Sequence, residues 1–253
     1  MKKNKNFYLL WEVVPLLIFF GLWEVTSRIN LFPEKIFFPP FSQVVREFWY
    51  LSISGVLGPN LLSSLIRVLI GFFLGSFSGL LIGIIMGWNE KIDKALSPVI
   101  SLLYPIPALG WLPLLMLWFG IGEILPILII FICSFFPILY NTLTGIKNVN
   151  KNYIYAAKIL GSSDIRIIYT IVLPLALPYI FTGLKLEAGM AWRVILAAEM
   201  VAIPTGIGAL MMKAESLLRI DIIIVCLIIL GVVCLSFEKI FILLENKFTA
   251  KWR

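Results

Sequence analysis

Long apolar runs constrain this chain more than any other feature. Six follow one another, at about 7–29, 61–88, 95–119, 123–146, 174–198 and 220–244. Each is long enough to cross a bilayer core ~30 Å thick, for which about 20 apolar residues suffice as a helix. In lipid every backbone N–H and C=O must be satisfied within the segment, so such runs fold as helices. Only 14% of the 253 residues are charged and 60% are hydrophobic, against roughly 25% and 45–50% in soluble domains. The chain reads as an all-α integral membrane protein with six transmembrane helices. Its net charge of +7 is spread over short connections, whereas a nucleic-acid binder gathers basic residues on one face.

Positive charge sorts the connections into two sets. The amino-terminal tail, the turn at 89–94, the segment 147–173 and the carboxy-terminal tail hold twelve Lys and Arg, against five in the alternate connections. Excess Lys and Arg marks the cytoplasmic side, so both termini and the segment 147–173 are expected there. The first run imitates a secretory signal, but its length, Glu12, Glu24 and the lack of a small-x-small cleavage site favour a retained span. Pro33, Pro39 and Pro40 exclude a helix interior over 31–40. Residues 41–51 mix aromatics with Gln43, Arg46 and Glu47, as an amphipathic helix lying along the interface would.

Glycine, proline and charge carry the information within the runs. Gly71, Gly75, Gly79, Gly83 and Gly87 recur every fourth position, which lines one helix face and lets a neighbouring backbone approach closely. Pro98, Pro105, Pro107 and Pro113 crowd the third run and imply a broken helix, tolerated only where protein or a water-filled path surrounds it. Arg67, Lys185, Glu187, Arg193 and Glu199 lie in or at the ends of runs, and ionisable groups there pair or face a watery cavity. Two readings stay open: mutual pairing that fixes helix packing, or a pathway role in which Arg193 offers a bidentate donor to an oxyanion. Glu199 then serves as its partner or as an external gate. Trp11, Trp23, Trp49, Trp88, Trp111, Trp118 and Trp192 fall mostly near run ends, the place of an interfacial belt.

Catalytic chemistry finds little to build on. Histidine is absent, and Cys133, Cys226 and Cys234 sit in apolar runs, where free cysteine packs as a small hydrophobe. Asp93, Asp164 and Asp221 are scattered, so a membrane-embedded enzyme such as a transferase lacks clustered metal ligands or a nucleophile–base pair. The phosphate loop Gly-x4-Gly-Lys-Ser/Thr does not occur. No metal or cofactor is expected on this chain.

The longest polar interruption, 147–173, carries Lys147, Lys151, Lys158, Asp164 and Arg166 and does not cross hydrocarbon unaided. Asn150 to Asn152 provide a polar entry and 153–160 suits a helix. Gly161 fits a helix C′ position, and Ser162, Ser163 and Asp164 can cap a second short helix. The expectation is a helix–glycine–helix elbow that returns to the membrane at Pro174. Ile154, Ala156, Ala157 and Leu160 are expected on its exposed face, where alanines permit close docking into a groove of another protein.

The pattern Ala156-Ala157-x3-Gly161-x9-Ile171-x-Leu173-Pro174 resembles the EAA signature of ABC-importer membrane subunits, Glu-Ala-Ala-x3-Gly-x9-Ile-x-Leu-Pro. The spacing matches throughout; Tyr155 stands where the signature has glutamate. Ser64-Leu-Ile-Arg67 is similar to the family's second-span region, and 104–123 and 183–200 resemble its nitrate/sulfonate/taurine branch. The resemblance implies a type I ABC importer permease fold, with first span and interfacial segment over 1–59, permease core over 60–244 and cytoplasmic tail over 245–253. It implies ATPase coupling through Ala156, Ala157, Gly161, Ile171, Leu173 and Pro174. It further implies two copies of this chain, two ATPase subunits that hold ATP and Mg, and an extracytoplasmic solute-binding protein, in a bacterial or archaeal cytoplasmic membrane. The solute implied is a small oxyanion such as nitrate, a sulfonate or taurine; a vitamin precursor is the alternative, since such systems share this permease type.

Overall fold

A computed structural model describes residues 5–29 and 37–249. Residues 1–4 of the basic amino-terminal tail, 31–36 of the proline stretch and 250–253 of the carboxy-terminal tail lie outside them. The described residues form helices and no strand: α1 (Lys5–Arg28), α2 (Phe41–Ile53), α3 (Leu57–Trp88), α4 (Glu90–Leu103), α5 (Leu112–Phe119), α6 (Ile124–Lys147), α7 (Lys151–Ile159), α8 (Asp164–Ile167), α9 (Leu173–Ala202), α10 (Ile207–Ser216) and α11 (Ile220–Thr249). Among them α3, α6, the rod Asp164–Ala202 and α11 are long and apolar enough to cross a membrane. The pair Glu90–Leu103 and Ala108–Phe119, bent by 83°, makes a fifth span if taken as one.

The bend has a local cause. Pro105 and Pro107 lack the N–H that a helix ladder needs at successive turns, so α4 stops at Leu103 and the chain restarts as a 3₁₀ turn at Ala108–Trp111. The third run is thus two arms joined at nearly a right angle.

The glycine row sets the tightest contact. A Cβ built on Gly71, Gly75 or Gly79 falls 2.7, 2.6 and 2.5 Å from the carbonyl oxygens of Ile127, Phe131 and Phe135 on α6, and one on Gly83 falls 2.9 Å from that of Leu139. One on Gly87 falls 2.7 Å from the Ile146 side chain. The backbone of α6 occupies the volume that side chains on this face of α3 would need.

Next to that seam α3, α6, α9 and α11 enclose a core of Val68, Phe72, Ile138, Trp192, Ile195, Phe237 and Phe241. Its rings meet edge-on, Phe72 with Phe237 at 5.3 Å and Trp192 with Phe237 at 6.3 Å between centroids. Trp192, expected to share in an interfacial belt, is instead 1% exposed in this core. Position near the end of a run says nothing about which way a side chain faces.

The stretch 199–219, which joins the runs 174–198 and 220–244, is largely helical and packed. Helix α9 continues to Ala202 and the chain turns back as α10, whose Ile207, Ala209, Leu210, Met211 and Ala214 are buried. It ends in a Schellman motif: Leu218 has φ +55°, Arg219 N–H donates to the Ala214 carbonyl at 2.8 Å, and Leu218 N–H donates to that of Glu215 at 2.9 Å.

Candidate functional site

The elbow is built by two adjoining caps. Asn150 accepts a hydrogen bond from the Asn152 N–H at 2.9 Å and starts α7. The helix closes with Gly161 at φ +79°, Ser162 N–H donating to the Ala157 carbonyl and Gly161 N–H to that of Lys158, both at 3.0 Å. These are the two bonds of a Schellman motif. The Ala-x3-Gly spacing therefore has a physical meaning: the alanine carbonyl and the left-handed glycine are the fixed ends of one cap. Ser163 then caps α8, its hydroxyl accepting from the Arg166 N–H.

Two expectations about the elbow need correction. Ala157 is not on the exposed face: it is buried, packing with Ile146, Val149 and Ile167, and Ile154 is half-buried with it. Ala156 is exposed, and the most exposed apolar residues are Ile159 at 86% and Leu160 at 84%. Nor does the fifth span begin afresh at Pro174: the short helix capped by Ser163 runs straight into it. From Asp164 the chain is helical to Ala202, with Pro174 inside a rod of 39 residues. Pro174 cannot donate to the Thr170 carbonyl, and around that point Ile168–Val172 form a π turn, Leu173 N–H reaching back to Ile168. Ile171 and Leu173 are half-buried against the same small core as Ala157, so that cluster ties the elbow to the rod.

At the other end of the bundle the charged residues fall into separate arrangements. Glu199 is fully buried and binds Arg67 at 2.7 Å; Arg67, 3% exposed, also donates to Glu123 at 2.6 Å and to the Thr205 carbonyl at 3.0 Å. The Ser64 hydroxyl donates to Glu199 and accepts from Ile207 N–H at 2.9 Å, Gly208 N–H donates to Glu199 at 3.0 Å, and Asn60 accepts from Gly206 N–H at 2.9 Å. The first amides of α10 are thus satisfied by side chains of α3 and α9, with a carboxylate at the positive end of the helix. Gly206 and Gly208 leave room for it, since a Cβ on either would overlap Glu199. Glu123 is exposed, and the Arg67 guanidinium holds its carboxyl below the usual range.

Glu199 therefore pairs with Arg67, and Arg193 is not its partner. Arg193 is exposed on α9, donating to the Met190 sulfur at 3.6 Å, in line with exposed Thr182, Leu186 and Met190. Lys185 pairs with Glu245 at 2.6 Å, and buried Glu187 accepts a hydrogen bond from the Cys133 thiol at 3.4 Å. Asn60, Ser64, Glu123 and Thr205 escaped the sequence reading as members of one network. The available signal was a buried-run arginine and glutamate of opposite sign, but 132 positions separate them.

Apolar helices joined along a glycine seam, with a capped elbow at one end, make the body of a helical membrane protein. A family model for the binding-protein-dependent transport system inner membrane component matches residues 79–249. A putative ABC transporter permease of Methanocaldococcus jannaschii is 42% identical over 239 residues, covering 92% of this chain and 88% of the relative. The taurine transport system permease protein of Escherichia coli is 32% identical over 230 residues, covering 88% and 82%. An inward-facing structure of the MetNI methionine ABC transporter superimposes with a TM-score of 0.57 at 15% identity, covering 80% of this chain and 96% of that one, which establishes the shared fold. The chain belongs to this family and is the permease subunit of an ABC importer.

Proposed function

We propose that the chain forms the path for a small oxyanion and is driven by separate ATPase subunits that dock on the elbow. In this reading α1 and the bent pair complete six spans, both termini and the elbow face the cytoplasm, and the membrane is that of a bacterial or archaeal cell. Two copies of the chain, two ATPases holding ATP and Mg, and an external binding protein make up the importer. The observation that carries it is the elbow: a rigidly capped turn whose Ile159 and Leu160 are exposed outside the spans, where apolar surface marks a protein contact. ATPase closure would draw two such elbows together, and the Ala157–Ile167 cluster would pass the movement into the Asp164–Ala202 rod.

Arg193 supports the oxyanion. It makes no ion pair among the described residues, and an unpaired guanidinium within a span belongs beside water or an anion. The taurine relative is named for a sulfonate, which a guanidinium can bind with two parallel donors.

The test is uptake and ATP hydrolysis by the reconstituted importer. A Cβ on Gly161 meets nothing within 4 Å, so Gly161→Val acts through its φ of +79° alone, a conformation that costs a side chain about 1–2 kcal/mol. ATP hydrolysis should persist while uptake falls. Wild-type uptake by Gly161→Val would sink the coupling reading; unchanged solute stimulation in Arg193→Gln would sink the oxyanion assignment.

A further inference from the structure

We propose that the groove between α7 and the adjoining ends of α3, α4 and α6 binds the phosphate of an anionic lipid from the cytoplasmic leaflet. The site rests on the cytoplasmic placement of the elbow proposed above, but binding to it does not depend on ATP coupling. The groove encloses about 810 Å³. Lys151, Ile154, Tyr155 and Lys158 line it; spaced i, i+3, i+4 and i+7, they form one face of α7. Exposed Asn152, Ala156 and Ile159 lie on the other face. The helix thus lays Ala157 and Ile154 against the protein and carries its two lysines along the open rim of the groove, with the bare Ile159 outside it.

Lys94 of α4 and Lys147 of α6 face the same space. Two of the three carboxylates there are already engaged, Asp93 by Lys147 at 2.6 Å and Asp164 by Lys158 at 3.1 Å. Lys94 and Lys151 make no ion pair among the described residues, and Glu90 is the one remaining acid lining the groove. The floor is apolar, with Met86 and Ile146 from the last turns of α3 and α6. Trp88 closes α3, with the Lys158 ammonium 5.7 Å from its ring. Cations above an apolar floor, with a tryptophan at a span end, match the depth at which headgroup gives way to acyl chain. Basic pockets between spans on the cytoplasmic side take lipid phosphates in this way.

Tyr155 fits the same chemistry. A glutamate at this position, as in the EAA signature, would place a further negative charge beside Lys151 and Lys158 and repel a phosphate; tyrosine removes the charge and brings an O–H donor. An acidic segment of the ATPase is the competing occupant, but the groove's floor of Met86 and Ile146 beside Trp88 suits an acyl chain, while the bare Ile159 and Leu160 lie outside it. Lys151 and Lys158 ride on the elbow and Lys94 and Lys147 on the spans, so one phosphate would fasten the two together.

The experiment is lipid binding to the purified full chain by native mass spectrometry. It is titrated with phosphatidylglycerol, phosphatidylcholine or inorganic phosphate. Phosphatidylglycerol should bind in preference to phosphatidylcholine. The double variant Lys94→Ala, Lys151→Ala should weaken it about thirtyfold, the worth of two lysines near a lipid surface. Tyr155→Glu should weaken it as well. Removing the same charge elsewhere, in Lys239→Ala, Lys247→Ala, should leave the binding unchanged. Wild-type binding by the Lys94, Lys151 variant would overturn the proposal. Saturation by inorganic phosphate without any preference for the lipid would assign the groove to a free anion. Release of the lipid when ATPase subunits are added would assign it to the protein partner.

Discussion

Adding one methyl group to the seam between α3 and α6 should separate the two helices measurably. In Gly79→Ala the new Cβ lies 2.5 Å from the Phe135 carbonyl oxygen and 3.2 Å from the Leu139 nitrogen, whereas ordinary contact begins at 3.4 Å. Both obstacles are backbone, so no side chain can swing aside, and α6 must retreat by nearly 1 Å along its contact with the whole glycine row. Overpacking of this kind costs about 1–3 kcal/mol, partly offset by up to ~1 kcal/mol because alanine is the better helix former. For a chain of this size each kcal/mol moves the melting point by about 2–4 °C, so the net cost of about 0–2 kcal/mol lowers it by up to about 8 °C in detergent, followed by intrinsic tryptophan fluorescence. Gly231→Ala is the control, since nothing lies within 4 Å of its Cβ; there the propensity gain acts alone and the melting point should rise by about 2–4 °C. A Gly79→Ala protein whose melting point rises as much as that of Gly231→Ala would refute the claim that the seam is backbone on backbone.

Other outcomes follow from the caps and the ionic junction. Arg67→Met leaves Glu199 buried without its cation and should cost about 3–5 kcal/mol, whereas Glu199→Gln, which still offers an acceptor to the Gly208 N–H, should cost about 1–3 kcal/mol; equal melting points would contradict the assigned pairing. Leu218→Gly should stabilise by about 1 kcal/mol, because an exposed leucine is held at φ +55°, and a lower melting point would count against it. Arg67 lowers the carboxyl of Glu123 below its unfolded value of about 4.3, so its contribution is complete above that pH and lost as pH falls through the folded value. Acid titration of the melting point should therefore show a smaller loss below about pH 4 in Glu123→Gln than in wild type, and identical profiles would exclude the link.

What the sequence discloses follows from the range over which each feature is determined. The α3–α6 seam is legible because a four-residue glycine period has one geometric meaning on a helix. The elbow is legible for the same reason: Ala157 and Gly161 are the two ends of one Schellman cap. Side-chain direction is not local. Ala157 is buried because Ile146, Val149 and Ile167 lie beneath it, and nothing within α7 announces them. Trp192 enters the core for an equally remote reason, the rings of α3 and α11. Arg193 and Glu199 lie six positions apart on α9, yet Glu199 turns inward to Arg67 on α3, and the α10 helix that completes this junction is too short and too polar at its end for an apolar-run criterion to find.

The proline joint between α4 and the Ala108–Phe119 arm acquires a mechanical meaning beside the glycine seam. A seam with backbone on both sides is stiff, since any relative shift meets a carbonyl. At the joint, Pro105 and Pro107 have no N–H to surrender, and among the described residues the bond from Ile106 to the Leu103 carbonyl, at 3.1 Å, is the backbone hydrogen bond that spans it. Reorienting the arm therefore sacrifices about 1 kcal/mol of backbone hydrogen bonding and the packing of Leu115 on Leu125 and Ile129, while sliding α3 along α6 would disturb every turn of the interface. Deformation imposed on this chain from outside will collect at the joint, as bending in a riveted frame collects at its one pinned corner.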